Sequence, residues 1–285
     1  MRWTPGGRSS DLEDRRGSSG GFGGGLGGGG MRIGLGGAAV LLVLSLVFKQ
    51  NFFALLGGGG VDTGGAAAGP VTASPEEEKQ VGFVSFVLDS AQSIWAREFQ
   101  ERGQPYERAK LVLFRDAVQS ACGFAQAATG PFYCPGDEKV YIDLGFYDEL
   151  QRRFGAPGDF AQAYVLAHEL GHHVQRLLGT EAKVRAAQER APDQANELSV
   201  RLELQADCYA GVYGFESQRD SILEPGDVEE GLRAAAAVGD DRIQKMQGQA
   251  VSPEGFTHGS SEQRMTWFKR GFQSGRLEDC DTFRS

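Results

Sequence analysis

Histidine and cysteine are both scarce in this chain, four of each in 285 residues, and lysine and arginine form no dense patch. The formal net charge is -9 and the sequence pI about 5.1, which argues against a nucleic-acid partner on electrostatic grounds. Cys122, Cys134, Cys208 and Cys280 show no C-x-x-C spacing, which argues against a cysteine-ligated zinc knuckle. Their even number suits two disulfides, with four free thiols as the alternative. Sequence leaves more than one pairing open. The expectation adopted is Cys122 with Cys134, closing a short loop, and Cys208 with Cys280, tying the C-terminal tail to a helix.

Long apolar stretches are equally few. One stands out: residues 33–48 carry no charge, Phe52-Phe53-Ala54-Leu55-Leu56 extends them, and Arg32 and Lys49 flank them. A hydrocarbon core of about 30 Å needs roughly 20 residues, a length that snorkelling of Lys49 and the second patch would complete. Residues 31–56 are therefore expected to be a transmembrane anchor in the lipid bilayer. A cleaved signal peptide fits less well, because the charged region ahead is long and no small-residue cleavage site follows closely. Residues 1–30, rich in glycine and arginine, have little to bury and are expected to be disordered and cytoplasmic. Arginines precede the span and only Lys49 follows it closely. Residues 75–285 are thus expected outside the cytoplasm, where disulfides persist, joined through a Gly/Ala linker over residues 57–74.

From Ser74-Pro75-Glu76-Glu77-Glu78 the pattern turns helical, with a serine N-cap, proline at the first position and acids in the first turn. That helix is expected to reach about Gln100. Residues 111–114 and 140–144 are strand candidates, the second taken as an edge that could hold an extended peptide. Further helical pieces are expected over 159–178, 181–190, 196–218, 227–247 and 260–272. The fold class that follows is α+β, mostly helical, with a small edge sheet.

Three of the four histidines sit in one of those pieces, Ala167-His168-Glu169-Leu170-Gly171-His172-His173. On a helix His168 and His172 lie one turn apart on one face. They can hold one Zn2+ ion, with Glu169 beside them to take a proton from water. His173 points elsewhere. A catalytic zinc needs a third protein ligand and an open position. Glu203, in Leu202-Glu203-Leu204-Gln205-Ala206-Asp207, is the candidate, with Glu197 as competitor. Asp207 shares the Glu203 face and would accept the free N–H of a ligand histidine. His258 is expected to donate to the oxyanion, with Arg264 holding its segment; a helix-entry role before Ser260 is the alternative.

These motifs resemble the bacterial neutral zinc metallopeptidase family. Asp14-Arg15-Arg16-Gly17, Gly130-Pro131-Phe132-Tyr133-Cys134-Pro135 and Gly155-Ala156-Pro157-Gly158-Asp159-Phe160 carry the likeness, with residues 167–173, 199–210 and 257–264. The resemblance implies a zincin-like, minimal gluzincin domain with an N-terminal anchor, ligands His168, His172 and Glu203, and Glu169 as catalytic acid/base. The order H-E-x-x-H, E-x-x-x-D and T-H-x-x-x-x-x-R is also similar to that of membrane-linked zinc peptidases. There a proline usually follows the last histidine, where Gly259 stands here. The expected function is a membrane-anchored, extracytoplasmic zinc metalloendopeptidase acting on protein or peptide. Two other classes stay in view. An envelope protein with a purely structural zinc would not need Glu169, and an amidase acting on a non-protein cell-wall amide would use the same residues.

Overall fold

The computed structural model describes residues 1–4, 6–17, 73–126 and 129–284. The anchor expected over residues 31–56 and nearly all of the linker expected over 57–74 lie outside them. No helix among the described residues is long and apolar enough to cross a membrane.

Strand β1 (Leu12–Asp14) precedes the long helix α1 (Pro75–Glu101). Strand β2 (Lys110–Phe114), a hairpin of β3 (Ala117–Ser120) and β4 (Gly123–Gln126), then β5 (Phe132–Cys134) and β6 (Lys139–Asp143) follow. The rest is helical: α2 (Gly145–Arg152), α3 (Asp159–Leu177), α4 (Thr180–Arg190), α5 (Ala195–Arg219), α6 (Asp227–Ala237), α7 (Asp240–Met246) and α8 (Ser261–Ser274). The architecture is α+β and mostly helical. Both disulfides, Cys122–Cys134 and Cys208–Cys280, are formed.

The main sheet has the order β1-β2-β6-β5, parallel except for the β5–β6 pair. Leu111, Leu113, Val140 and Ile142 face the helical core, while Val112, Phe114 and Tyr141 pack with Val118 and Cys134 on the other face. With both faces covered, these strands read as apolar runs. This corrects the placement of residues 140–144 at an edge. Strand β6 pairs on both sides, and the free edge beside α3 belongs to β5.

Helix α1 starts as its sequence suggests, with Ser74 Oγ accepting the Glu77 N–H at 3.1 Å. Its Val81, Val84, Leu88, Trp95 and Phe99 are buried. Helix α3 lies inside, against α1, α5, α6 and β5. The single helix expected over 227–247 is two, α6 and α7. It breaks at Gly239, where a Cβ would overlap the Ser261 backbone at the entry of α8.

Residues 1–30 read as disordered, yet residues 1–4 and 6–17 are folded onto this unit. Strand β1 adds to β2, and the Met1 ammonium pairs with Asp159 at 2.7 Å, at the start of α3. Main-chain hydrogen bonds and charge pairs order the segment, and a count of apolar residues registers neither.

Candidate metal centre

Phe160, Ala163, Tyr164, Ala167, Leu170 and Val174 bury α3 on most sides, so polar groups on it need partners. Its two facing histidines find theirs on α5. His168 Nε2 lies 3.1 Å from Glu203 Oε2, and His172 Nε2 lies 3.5 Å from Glu203 Oε1. The candidate donor atoms of His168, His172 and Glu203 all fall within 4.8 Å of one another. Gly171 permits this approach. A Cβ there would sit 3.2 Å from Ala206 Cα, and Ala206 lies between Glu203 and Asp207 on α5. A larger side chain would wedge the helices apart and draw the carboxylates away from the imidazoles.

Each of these histidines is oriented through its other nitrogen. His168 Nδ1–H donates to Asp207 Oδ1 at 2.9 Å, and His172 Nδ1–H donates to Gln175 Oε1 at 2.9 Å. With acceptors at both Nδ1 atoms, these nitrogens keep their protons, and the Nε2 atoms facing Glu203 are the ones that would give up a proton to bind a metal. Gln175 is itself fixed, donating to Leu202 O at 2.7 Å and to Gln205 Oε1 at 3.1 Å. Asp207 is fully buried. It accepts from Arg264 Nε at 2.8 Å, from Arg264 Nη2 at 2.9 Å and from the Tyr164 hydroxyl. Arg264 arrives on α8, whose close contact with α5 needs Gly271: a Cβ there would overlap the Cys208 carbonyl oxygen.

Burial works to lower the His168 pKa, but Asp207 and Glu203 outweigh it and push the ring up to about 10. His172 is also raised, with Glu203 overcoming burial. Glu203 lies well below the usual carboxylate range despite burial, because the charge of His172 and the hydrogen bonds from His168 and His172 favour its ionised form. Asp207 is lowered likewise, with Arg264 and then His168 opposing burial. A pocket that holds protons this firmly favours a cation. Two imidazole nitrogens and one carboxylate suit zinc, and among the described residues the cluster has these three members only, leaving a coordination position open.

Glu169 follows His168 and is buried. Its charge is felt at Tyr147 on α2, whose pKa is raised first by burial and then by Glu169, and whose buried hydroxyl has no hydrogen-bond partner among the described residues. His173 is outside the cluster. Its Nε2–H donates to Glu107 O at 2.7 Å and its Nδ1 accepts from the Tyr133 hydroxyl at 3.0 Å, which ties α3 to β5. Glu197, the competing ligand, is an exposed partner of Arg201 at 2.6 Å.

His258 is not in the cluster either, and its ring is half exposed. Asp240 Oδ1 lies 3.1 Å from its Nδ1, while Asp240 Oδ2 accepts the backbone N–H groups of Thr257 and His258, each at 2.7 Å, and of Gly259 at 3.2 Å. Burial would lower the His258 pKa, but Asp240 and the Glu203 charge raise it, so the ring is within electrostatic reach of the cluster. A cavity of about 550 Å³ is lined by Val200, Phe256, Ser260 and Gln263 among others, but by none of His168, Glu169, His172, Glu203 or His258; Val200 lies one turn before Glu203. Sequence reasoning missed Tyr147, Tyr164, Gln175 and Asp240. Only Gln175 carried a local signal, three residues after His172 on the same helix face.

A family model described as putative neutral zinc metallopeptidase matches residues 1–283. The uncharacterized protein YpfJ of Escherichia coli (strain K12) is 47% identical over 285 residues, covering 99% of each chain. The uncharacterized protein Rv2575 of Mycobacterium tuberculosis (strain ATCC 25618 / H37Rv) is 47% identical over 189 residues, 62% of this chain and 63% of that protein. No solved structure matches the chain.

Proposed function

We propose that this chain, which belongs to the putative neutral zinc metallopeptidase family, is an endopeptidase whose His168, His172 and Glu203 hold one zinc ion. The convergence of those three side chains within 4.8 Å, beside Glu169, carries the reading. Zinc in such a site supplies Lewis acidity, lowering the pKa of water and polarising a carbonyl. Glu169 takes the proton of the attacking water and passes it to the leaving amine. Asp207 and Gln175 keep the two imidazoles in the required tautomer. Asp240 holds His258 by its Nδ1, which leaves Nε2–H to donate to the substrate oxygen as negative charge develops there. A purely structural zinc site has no use for a carboxylate at Glu169. Two disulfides favour an oxidising compartment, so the domain works outside the cytoplasm.

The test is hydrolysis of an unstructured protein by the full chain loaded with zinc, beside Glu169→Gln, with metal content measured in both. Activity in the parent that is lost in Glu169→Gln at unchanged zinc is the expected result. Zinc bound without hydrolysis of any peptide would overturn the peptidase reading, and failure to bind zinc would overturn the site.

A further inference from the structure

We propose that residues 1–17 and the metal-binding domain share one compartment, so that the chain leaves and re-enters the folded unit on the same side of any bilayer. Strand β1 pairs in parallel with β2 in the register Leu12↔Leu111, Glu13↔Val112 and Asp14↔Leu113. The Leu111 N–H donates to Asp11 O at 2.8 Å, and the Arg15 N–H donates to Leu113 O at 2.8 Å. No such ladder forms through a membrane.

The side chains make the same connection. Asp11, 5% exposed, pairs with Arg108 at 2.6 Å and with Lys110 at 2.7 Å. Glu13 meets Lys139 of β6 at 2.7 Å. The Arg16 guanidinium is buried and meets Asp14 at 2.7 Å, Glu77 of α1 at 2.8 Å and Glu78 at 2.9 Å. Trp3 packs edge-on against Phe83 of α1 with ring centroids 5.3 Å apart. A buried guanidinium is tolerated only where carboxylates compensate it, so Arg16 and the start of α1 belong together.

The orientation expected from sequence counted the early arginines as free positive charge held on the cytoplasmic side. In the fold they are paired: Arg2 with Glu224 at 3.8 Å, Arg8 with Glu78 at 2.8 Å, Arg15 with Glu13 at 2.5 Å, and Arg16 as above. A single crossing between residue 17 and residue 73 would put β1 and β2 on opposite faces. Only an even number of crossings, zero included, keeps the sheet. This inference does not depend on hydrolysis.

Two exposed positions test it in the full chain, Ser10→Cys near β1 and Glu229→Cys on α6, since the native cysteines are disulfide-bonded. Each variant is exposed to a membrane-impermeant maleimide in intact spheroplasts and again after permeabilisation. Equal labelling of both before permeabilisation supports the proposal with the domain outside. Labelling of both only afterwards also supports it, and places both inside. Labelling of one before and the other only after overturns it. Zero-length carbodiimide coupling is the second measurement. Amide links Asp11–Lys110 and Glu13–Lys139 are expected by mass spectrometry, and absence of both in the folded full chain would likewise overturn the proposal.

Discussion

Asp207→Asn tests the site most directly, because one carboxylate serves three buried partners. The amide has nearly the same shape, and its oxygen can still accept His168 Nδ1–H. Its NH2 group then faces Arg264, donor against donor, and the guanidinium loses its counter-charge although the residue is only 4% exposed. Removing one partner of a buried ion pair costs about 3–5 kcal/mol. Arg264 keeps Val238 O at 3.1 Å and the Tyr164 hydroxyl at 3.2 Å, which points to the lower end. At roughly 2–4 °C per kcal/mol for a domain of this size, a cost of about 3 kcal/mol lowers the melting midpoint by about 6–12 °C. Zinc affinity should fall as well, about 10- to 100-fold, because the charged acceptor behind a ligand histidine is lost. Melting of the zinc-free protein and competition against a chromogenic chelator read the two effects separately. Arg264→Gln closes a double-mutant cycle, and the double variant should recover more than about 1 kcal/mol relative to additivity. A midpoint within about 2 °C of the parent together with zinc affinity within about twofold would refute the reasoning. Asp207 would then neither neutralise Arg264 nor orient His168.

The disulfides should differ in worth. Replacing Cys208 and Cys280 by alanine opens a loop of 72 residues, for which chain entropy predicts about 4 kcal/mol, against about 3 kcal/mol for the 12-residue separation of Cys122 and Cys134. Urea midpoints should follow that order. Zinc affinity should drop only for the first pair, since Gln205 Nε2 donates to Cys280 O at 3.0 Å while Gln205 Oε1 accepts from Gln175; the reverse pattern would contradict this account. Stability should also depend on pH in a metal-linked way. The His168 pKa rises from 6.5 to about 10 on folding, so its proton stabilises the zinc-free protein fully below about pH 6.5, and that contribution is lost as pH climbs through about 10. Zinc takes the proton's place, so the zinc-loaded protein should show no such decline, and parallel melting profiles for the two forms would sink the idea.

What local spacing encodes is what sequence reasoning could find. Four residues along a helix fix a shared face whatever the tertiary structure, so His168 with His172 and Glu203 with Asp207 could be read as pairs. That the two pairs meet is not written in any periodicity. It depends on Gly171 lying against Ala206, and the only sign of that contact is a missing side chain. Arg264 is harder still, 57 residues from Asp207 and delivered by Gly271 against Cys208. Residues 1–17 were hidden for another reason. Composition arguments weigh apolar burial, and this segment is held by an open strand edge and by charges whose partners lie on α1, β2 and β6. The same arginines that make it look soluble and cytoplasmic are neutralised once those partners are present. An arginine free on an unfolded chain biases membrane insertion, whereas one buried between carboxylates does not. Topology and folding are therefore one problem for this chain: whichever face of a membrane α1 folds on is the face that Arg16 must reach.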